Sequence, residues 1–186
     1  MDLARIGVFG HSLGGKAEVR VCQVDSRVRV CLNQDGEMFG IPFGSPEPIP
    51  SVIPGKGTKA PLTVIYVAEP GFTDAQLAAV KVTRKQFEDW RDAKNAALRS
   101  FLRGNSAASY LVTVKLPSYL HASFMDIRQL GTVPAAHAAV NLQVAIDFTL
   151  SFFDAHLMND RQGWNQLLAN PKDGITVESL DARRAR

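Results

Sequence analysis

The chain has 186 residues, of which 46% are hydrophobic and 21% are charged. This length and balance fit one globular domain with a sizeable core. The net charge is only +3, and no basic patch is interleaved with aromatic residues, which argues against nucleic-acid binding. No apolar run approaches the ~20 residues of a membrane span, and no signal peptide is visible, so we expect a soluble protein and assign no compartment.

Short apolar strands alternate with helical segments along the chain. In order, the sequence predicts a strand in ARIGVFG, a helix in LGGKAEVRVCQVD, a strand in RVRVCLNQD, a Pro- and Gly-rich loop from Gly36 to Pro61, a strand in PLTVIYVAE, a mostly helical segment from Thr73 to Gly104, a strand in SYLVTVKLP and an apolar helix in HAAVNLQVAIDFTLSFFDAHL. Thr73 fits a helix N-cap and Gly104 a helix stop. The tail from Asn159 is predicted to be loop-like.

This alternation predicts a single α/β domain over residues 1–186. Its sheet is expected to be mostly parallel, with about four strands flanked by helices and right-handed crossovers. The segment 73–104 is interpreted as a helical insertion that could act as a partial lid.

The stretch VFGHSLGGKAE, Val8 to Glu18, matches two motifs. Gly10 to Lys16 reads G-x-x-x-x-G-K, the body of a phosphate-binding loop. That loop needs Ser or Thr after the lysine to hold Mg²⁺, and this chain has Ala17 there. The motif therefore does not favour a nucleotide site.

Gly10 to Gly14 also reads G-x-S-x-G, the turn between strand and helix that presents a serine nucleophile. Ser12 is the predicted nucleophile, and the backbone N–H of Leu13 is the predicted oxyanion donor. Glycine is expected at positions 10 and 14 because the strand and the helix pass so closely at this turn that a side chain would not fit.

A serine nucleophile needs a histidine to take its proton and an acid to orient that histidine. Of the four histidines, His11 adjoins the nucleophile with its side chain expected to point away, and His137 and His156 fit surface or capping roles. His121 follows the fourth strand, at the sheet edge where Ser12 is expected, and is the predicted general base.

Two acids compete for the third role. Asp35 ends the second strand and Glu69 ends the third. Both are expected at the same sheet edge as Ser12, and the residues alone do not separate them.

Three segments, IGVFGHSLGGKAE, VRVCLNQDGEMFG and LHASFMDIRQL, together resemble the platelet-activating-factor acetylhydrolase isoform II family and related bacterial esterases and lipases. The resemblance implies an α/β-hydrolase fold with Ser12, Asp35 and His121 as catalytic triad, and so favours Asp35. The pair Asn33-Gln34 before the acid departs from the family pattern. The family is calcium-independent, so the resemblance implies neither metal nor cofactor.

Apolar residues beside these positions are predicted to contact substrate, a small ester or lipid. They are Met38, Phe39 and Phe124.

The two cysteines, Cys22 and Cys31, form no metal or redox motif. Buried free thiols are expected, with a disulfide between the two as the alternative. The strands that usually precede the nucleophile strand of an α/β-hydrolase are missing from this sequence. We therefore expect either a fragment or a natural truncation. We also expect a homodimer or higher oligomer whose interface buries either the edge of the Ile6–Phe9 strand or the apolar face around Phe148, Phe152 and Phe153.

The predicted function is that of a serine esterase or lipase. The alternative is a non-catalytic hydrolase remnant that acts as an interaction module or as half of a split enzyme.

Overall fold

Parallel pairing of short apolar strands organises the structure. The computed structural model describes residues 2–40, 49–68, 72–116, 118–125 and 135–180. The elements are β1 (Ile6–His11), α1 (Leu13–Val24), β2 (Val28–Gln34), β3 (Phe39–Gly40), β4 (Ile49–Pro50), β5 (Leu62–Val67), α2 (Asp74–Ala79), α3 (Arg84–Arg103), β6 (Ser109–Val114), a 3-10 turn (His121–Phe124), α4 (Ala135–Phe153), a π turn (Asp154–Met158), α5 (Gln162–Ala169) and β7 (Ile175–Ser179).

The main sheet has the strand order β1-β2-β5-β6-β7, and the short strands β3 and β4 pair separately. The first four strands of the main sheet are parallel, as predicted, whereas β7 runs antiparallel to β6. The prediction of a loop after Asn159 is wrong, because this tail forms α5 and β7. The strand β7 has only five residues and mixes apolar with polar side chains, so its local pattern is weak.

Helices cover both faces of the sheet, because the strands carry apolar side chains alternately on each face. Toward one face, Val30 and Leu32 of β2 pack with Phe148 and Phe152 of α4 and with Trp164 of α5. The opposite cluster joins strand residues to α1 and α3, and includes Val19, Cys31, Leu62, Val64, Leu98 and Leu102. Within the described ranges, no helix combines the length and apolar character that crossing a bilayer requires.

The segment from Thr73 to Gly104 folds into two helices. Thr73 and Thr83 each cap a helix in a capping box with the glutamine three residues later, and Gly104 caps the end of α3. Leu98 and Leu102 of α3 belong to the core. This part of the segment therefore supplies a helical layer of the fold, while a lid role stays a proposal.

The expectation of free thiols is wrong. Cys22 of α1 and Cys31 of β2 form a disulfide, with their Cα atoms 6.4 Å apart. Both residues are buried between the helix and the sheet. Their spacing in the chain does not show this contact, which arises because α1 packs back across β2.

Strand β1 lies at an edge of the sheet. In the described part of the chain it pairs with β2 alone, and Phe9 is 58% exposed. Within the described residues, one edge of the first strand is therefore unpaired, as expected.

The turn between β1 and α1 needs glycine at position 10. A Cβ there would lie 2.3 Å from the backbone C and O atoms of Gly14, whereas a Cβ at Gly14 would meet nothing within 4 Å. The expectation that both glycines permit the close approach is correct for Gly10 and wrong for Gly14. In the first turn of α1, Gly15 is also crowded, because a Cβ there would lie 2.9 Å from Oδ1 of Asn33.

We predict opposite outcomes for alanine at these two positions. Gly10→Ala should lower the free energy of unfolding by about 1–3 kcal/mol or more, because the new methyl group meets backbone atoms that cannot move independently. Gly14→Ala should leave it unchanged or raise it by less than about 1 kcal/mol, because the site is open and helical. Urea titration of both variants measures the difference, and equal stabilities would contradict this packing.

Candidate active site

Ser12 occupies a strained turn between β1 and α1. Its backbone has φ 57° and ψ −119°, a conformation that residues with a side chain rarely adopt. The Ser12 N–H donates to the carbonyl of Gln34 at 3.0 Å, and the Ser12 carbonyl accepts from the Lys16 N–H at 3.2 Å. These two bonds anchor the turn to β2 and to the first turn of α1.

Leu13 begins α1. The N–H of the first helical residue has no acceptor within its helix, and the helix N-terminus carries partial positive charge. A donor with this character, directly after Ser12, suits an oxygen atom on which negative charge develops.

Asp35 follows β2, and both of its carboxylate oxygens are engaged. Oδ1 accepts from the Val67 N–H at 3.0 Å, and Oδ2 lies 2.6 Å from Nδ1 of His121. The Asp35 side chain is 12% exposed, against 53% for His121. Asp35 is therefore fixed by β5 while it holds the histidine. The alternative acid, Glu69, lies outside the described residues.

His121 opens the 3-10 turn that follows β6. A carboxylate only accepts hydrogen bonds, so the bond to Asp35 assigns the proton of the neutral imidazole to Nδ1 and leaves Nε2 as acceptor. Ser12, Asp35 and His121 line one cleft of about 570 Å³. The structure thus brings the three predicted residues together.

His11 has a contact that the sequence analysis missed. Its Nε2 lies 2.8 Å from the backbone carbonyl of His121, to which the N–H donates. The two imidazole centroids are 4.5 Å apart. Desolvation lowers the pKa of His11, which favours a neutral ring that supports the His121 backbone. Only its place next to Ser12 could have signalled this role.

Asn33 and Gln34, which depart from the family pattern, are buried side chains that form hydrogen bonds to neighbouring elements. The Asn33 amide donates to the Gly15 carbonyl at 3.0 Å and accepts from the Gly36 N–H at 2.6 Å. The Gln34 amide donates to Oγ1 of Thr149 at 3.0 Å. These bonds connect the end of β2 to α1, to the Asp35 loop and to α4.

The predicted substrate contacts lie elsewhere. Met38 is only 3% exposed and packs in the core, and Phe124 is buried against His11 and Tyr119. Phe39 packs against Phe101, away from the cleft. These residues follow the acid and the histidine in sequence, but their side chains turn inward.

The cleft is instead completed by a different set of side chains. They are Lys16, Glu37, Tyr66, Val67, Lys94 and Leu120. Nζ of Lys94 lies 3.3 Å from Oε1 of Glu37 and 5.4 Å from the Tyr66 ring centroid. The wall beside Ser12 is therefore partly aromatic and carries paired charges.

The chain matches no protein-family model and no curated protein. Among solved structures, a ferulic acid esterase from Streptomyces cinnamoneus is similar over 95% of this chain, with a TM-score of 0.60 and 24% sequence identity. The chain covers 47% of that esterase and so spans about half its length. The comparisons do not show the platelet-activating-factor acetylhydrolase family. They show that this chain has a partial α/β-hydrolase-like fold.

Proposed function

We propose that the chain is a serine hydrolase that cleaves carboxylic esters. The observation that carries this proposal is the 2.6 Å contact between Asp35 and His121 in the cleft that Ser12 lines on its strained turn. The resemblance to esterases and lipases, and a similar fold in a ferulic acid esterase, support a carboxylic ester as the substrate class, either a small ester or a lipid ester.

In this mechanism, Oγ of Ser12 attacks the ester carbonyl carbon while Nε2 of His121 takes the hydroxyl proton. The Leu13 N–H stabilises the oxyanion, and Asp35 stabilises the imidazolium. The tetrahedral intermediate then expels the alcohol, which receives the proton from His121, and an acyl-serine remains. Water, deprotonated by His121, hydrolyses that ester and restores Ser12. The scheme uses neither metal nor cofactor, and a further local backbone group or a partner chain supplies the second oxyanion donor.

A second candidate is a non-catalytic remnant, or one half of a split enzyme. The observations that favour it are the coverage of 47% of the esterase chain and the edge of β1, which has no partner strand among the described residues. In a split enzyme of this kind, a second chain would supply the remaining walls of the cleft.

We also propose that the chain associates with itself through the β1 edge. Free N–H and C=O groups on an edge strand pair readily with another strand. The alternative interface, the apolar face around Phe148, Phe152 and Phe153, is not favoured, because Phe148 and Phe152 are buried in the core. Phe9 takes their place, since it is exposed and contacts Phe153 with ring centroids 6.0 Å apart.

Replacing the nucleophile should abolish turnover. Ser12→Ala should reduce hydrolysis of a short p-nitrophenyl ester by at least about 10³-fold, because the acyl-enzyme cannot form. Ser26→Ala, the same change at an exposed serine outside the cleft, is the matched control. Equal rates for the Ser12 variant and the wild type would reject the assignment, and a folded wild type without turnover would favour the remnant.

The acid is tested by an isosteric change. Asp35→Asn should lower kcat by roughly 10⁴-fold, because an amide can donate to His121 and so favour the wrong tautomer. Asp89→Asn on the exposed face of α3 controls for loss of a carboxylate. A damaging Glu69→Gln together with a nearly silent Asp35→Asn would assign the role to Glu69.

Association should depend on Phe9. Multi-angle light scattering at micromolar concentration should give a dimer or larger species for the wild type, and Phe9→Glu should shift it to monomer because a charge is costly in an apolar interface. Val140→Glu, on the exposed face of α4, is the control. A wild-type monomer, or equal dissociation by both substitutions, would contradict the β1 interface.

A further inference from the structure

Glu18, Cys22 and Cys31 converge between α1 and β2. One ligand atom from each of the three lies within 4.8 Å of the others, and all three residues are buried. Glu18 and Cys22 are four residues apart on a helix and so share one face, which packs on the strand that carries Cys31. The fold therefore brings these three residues together, although the spacing of the cysteines in the sequence does not predict it.

Glu18 does not fit an ordinary apolar core. It is only 4% exposed, and among the described residues its Oε2 has no hydrogen-bond partner. Burial raises the pKa of its carboxyl group well above the usual range, opposed by the Leu32 backbone N–H. A buried, unpaired carboxyl oxygen beside two sulfur atoms calls for an explanation.

The spacing of the cluster fits a tetrahedral cation. Bonds of about 2.3 Å to sulfur and about 2.0 Å to oxygen place neighbouring sulfur and oxygen ligands about 3.5 Å apart. Oε1 of Glu18 lies 3.3 Å from Sγ of Cys22. Two reduced sulfur atoms need a separation of about 3.8 Å around the same ion, which a modest opening of the side chains would allow once the bridge is broken.

We propose that Glu18, Cys22 and Cys31 bind a thiophilic divalent cation, with Zn²⁺ as the probe, when the Cys22–Cys31 disulfide is reduced. The bridge and the cation are then alternative occupants of one position. Reduction by a phosphine breaks the S–S bond: two electrons from phosphorus and two protons give two thiols, and the phosphine becomes its oxide with oxygen from water. Zn²⁺ then displaces the thiol protons and the carboxyl proton of Glu18.

A cavity of about 690 Å³ gives access to this position. Cys22 forms part of its wall, together with Arg29, Lys56 and Lys59. A divalent cation with two thiolates and one carboxylate leaves a net negative charge, which these basic residues offset. The three side chains would leave one position of a tetrahedral ion to be filled by water from the cavity.

The site joins the two elements that carry the proposed chemistry. Helix α1 begins directly after Ser12, and β2 ends directly before Asp35. A cation held by Glu18 and Cys22 on one side and Cys31 on the other would preserve the link between them under reducing conditions. Its role is structural, because the cation would contact none of the three residues proposed to carry out ester hydrolysis.

Metal content of the reduced chain tests this proposal. After reduction and dialysis against Zn²⁺, elemental analysis should find about one zinc per chain, and zinc should raise the melting temperature because it binds the folded state. The oxidised chain should retain none. Co²⁺ in place of Zn²⁺ should produce a thiolate-to-cobalt charge-transfer band.

Three variants make the outcome specific. Cys31→Ser should lose zinc retention and the cobalt band, whereas Glu18→Gln, which keeps both thiols, should weaken zinc binding at least about tenfold in competition with a chromophoric chelator. Glu88→Gln, the same change on the exposed face of α3, should bind as the wild type does. Circular dichroism confirms folding. Zinc retention equal in the reduced and oxidised chains, or unchanged by Glu18→Gln, would overturn the site.

Discussion

The buried amide of Asn33 is the interaction on which the site depends. Parallel strands end at the same sheet edge, so the turn after β1 and the loop after β2 lie side by side, and the Asn33 side chain bonds to the backbone of both. An apolar side chain of similar size would remove the bond to the Gly15 carbonyl and leave the buried Gly36 N–H without its Asn33 acceptor, at the cost of desolvating that N–H. Gly36 is equally constrained, because a Cβ there would lie 2.6 Å from the Ser12 carbonyl oxygen. The positions of Ser12 and Asp35 thus follow from one small set of backbone contacts.

The parts of this arrangement that sequence could predict are those with a local signature. The G-x-S-x-G turn, the Thr73 cap and the Gly104 stop depend on residues a few positions apart, and the structure has each of them. His121, Asp35 and Glu69 were placed at one edge because parallel strands end there. The choice of Asp35 over Glu69 depended on the family resemblance, since the topology alone does not separate the two acids.

The parts that sequence could not predict arise from packing between distant segments. The disulfide forms only because α1 packs across β2. The short, mixed sequence of β7 is a weak strand signal by itself, and the segment becomes an edge strand because it pairs with β6 in the folded sheet. Met38 and Phe124 each lie three positions after a site residue, yet they fill the core, because apolar character alone does not say whether a side chain faces a cleft or the interior. The contact of His11 could not be predicted either, because its partner is a backbone carbonyl far along the chain.

The nucleophile turn also lies beside an edge of the sheet. Strand β1 holds the start of α1, but Phe9 is exposed and the far edge of the strand has no partner in the described ranges. A nucleophile held in an unfavourable backbone conformation needs rigid surroundings. Pairing at this edge and a link between α1 and β2 would both make the turn more rigid. The proposed association and the proposed cation site would therefore both help to hold Ser12 in place.

The central claim is that Ser12 is activated by His121, and covalent labelling tests it most directly. A fluorophosphonate reacts with a serine whose hydroxyl is deprotonated by a neighbouring base. Peptide mapping of the treated chain by mass spectrometry should locate one adduct on Ser12, and His121→Ala should abolish it while the fold remains intact. An adduct on another residue, no adduct at all, or labelling of Ser12 that does not depend on His121 would contradict the account.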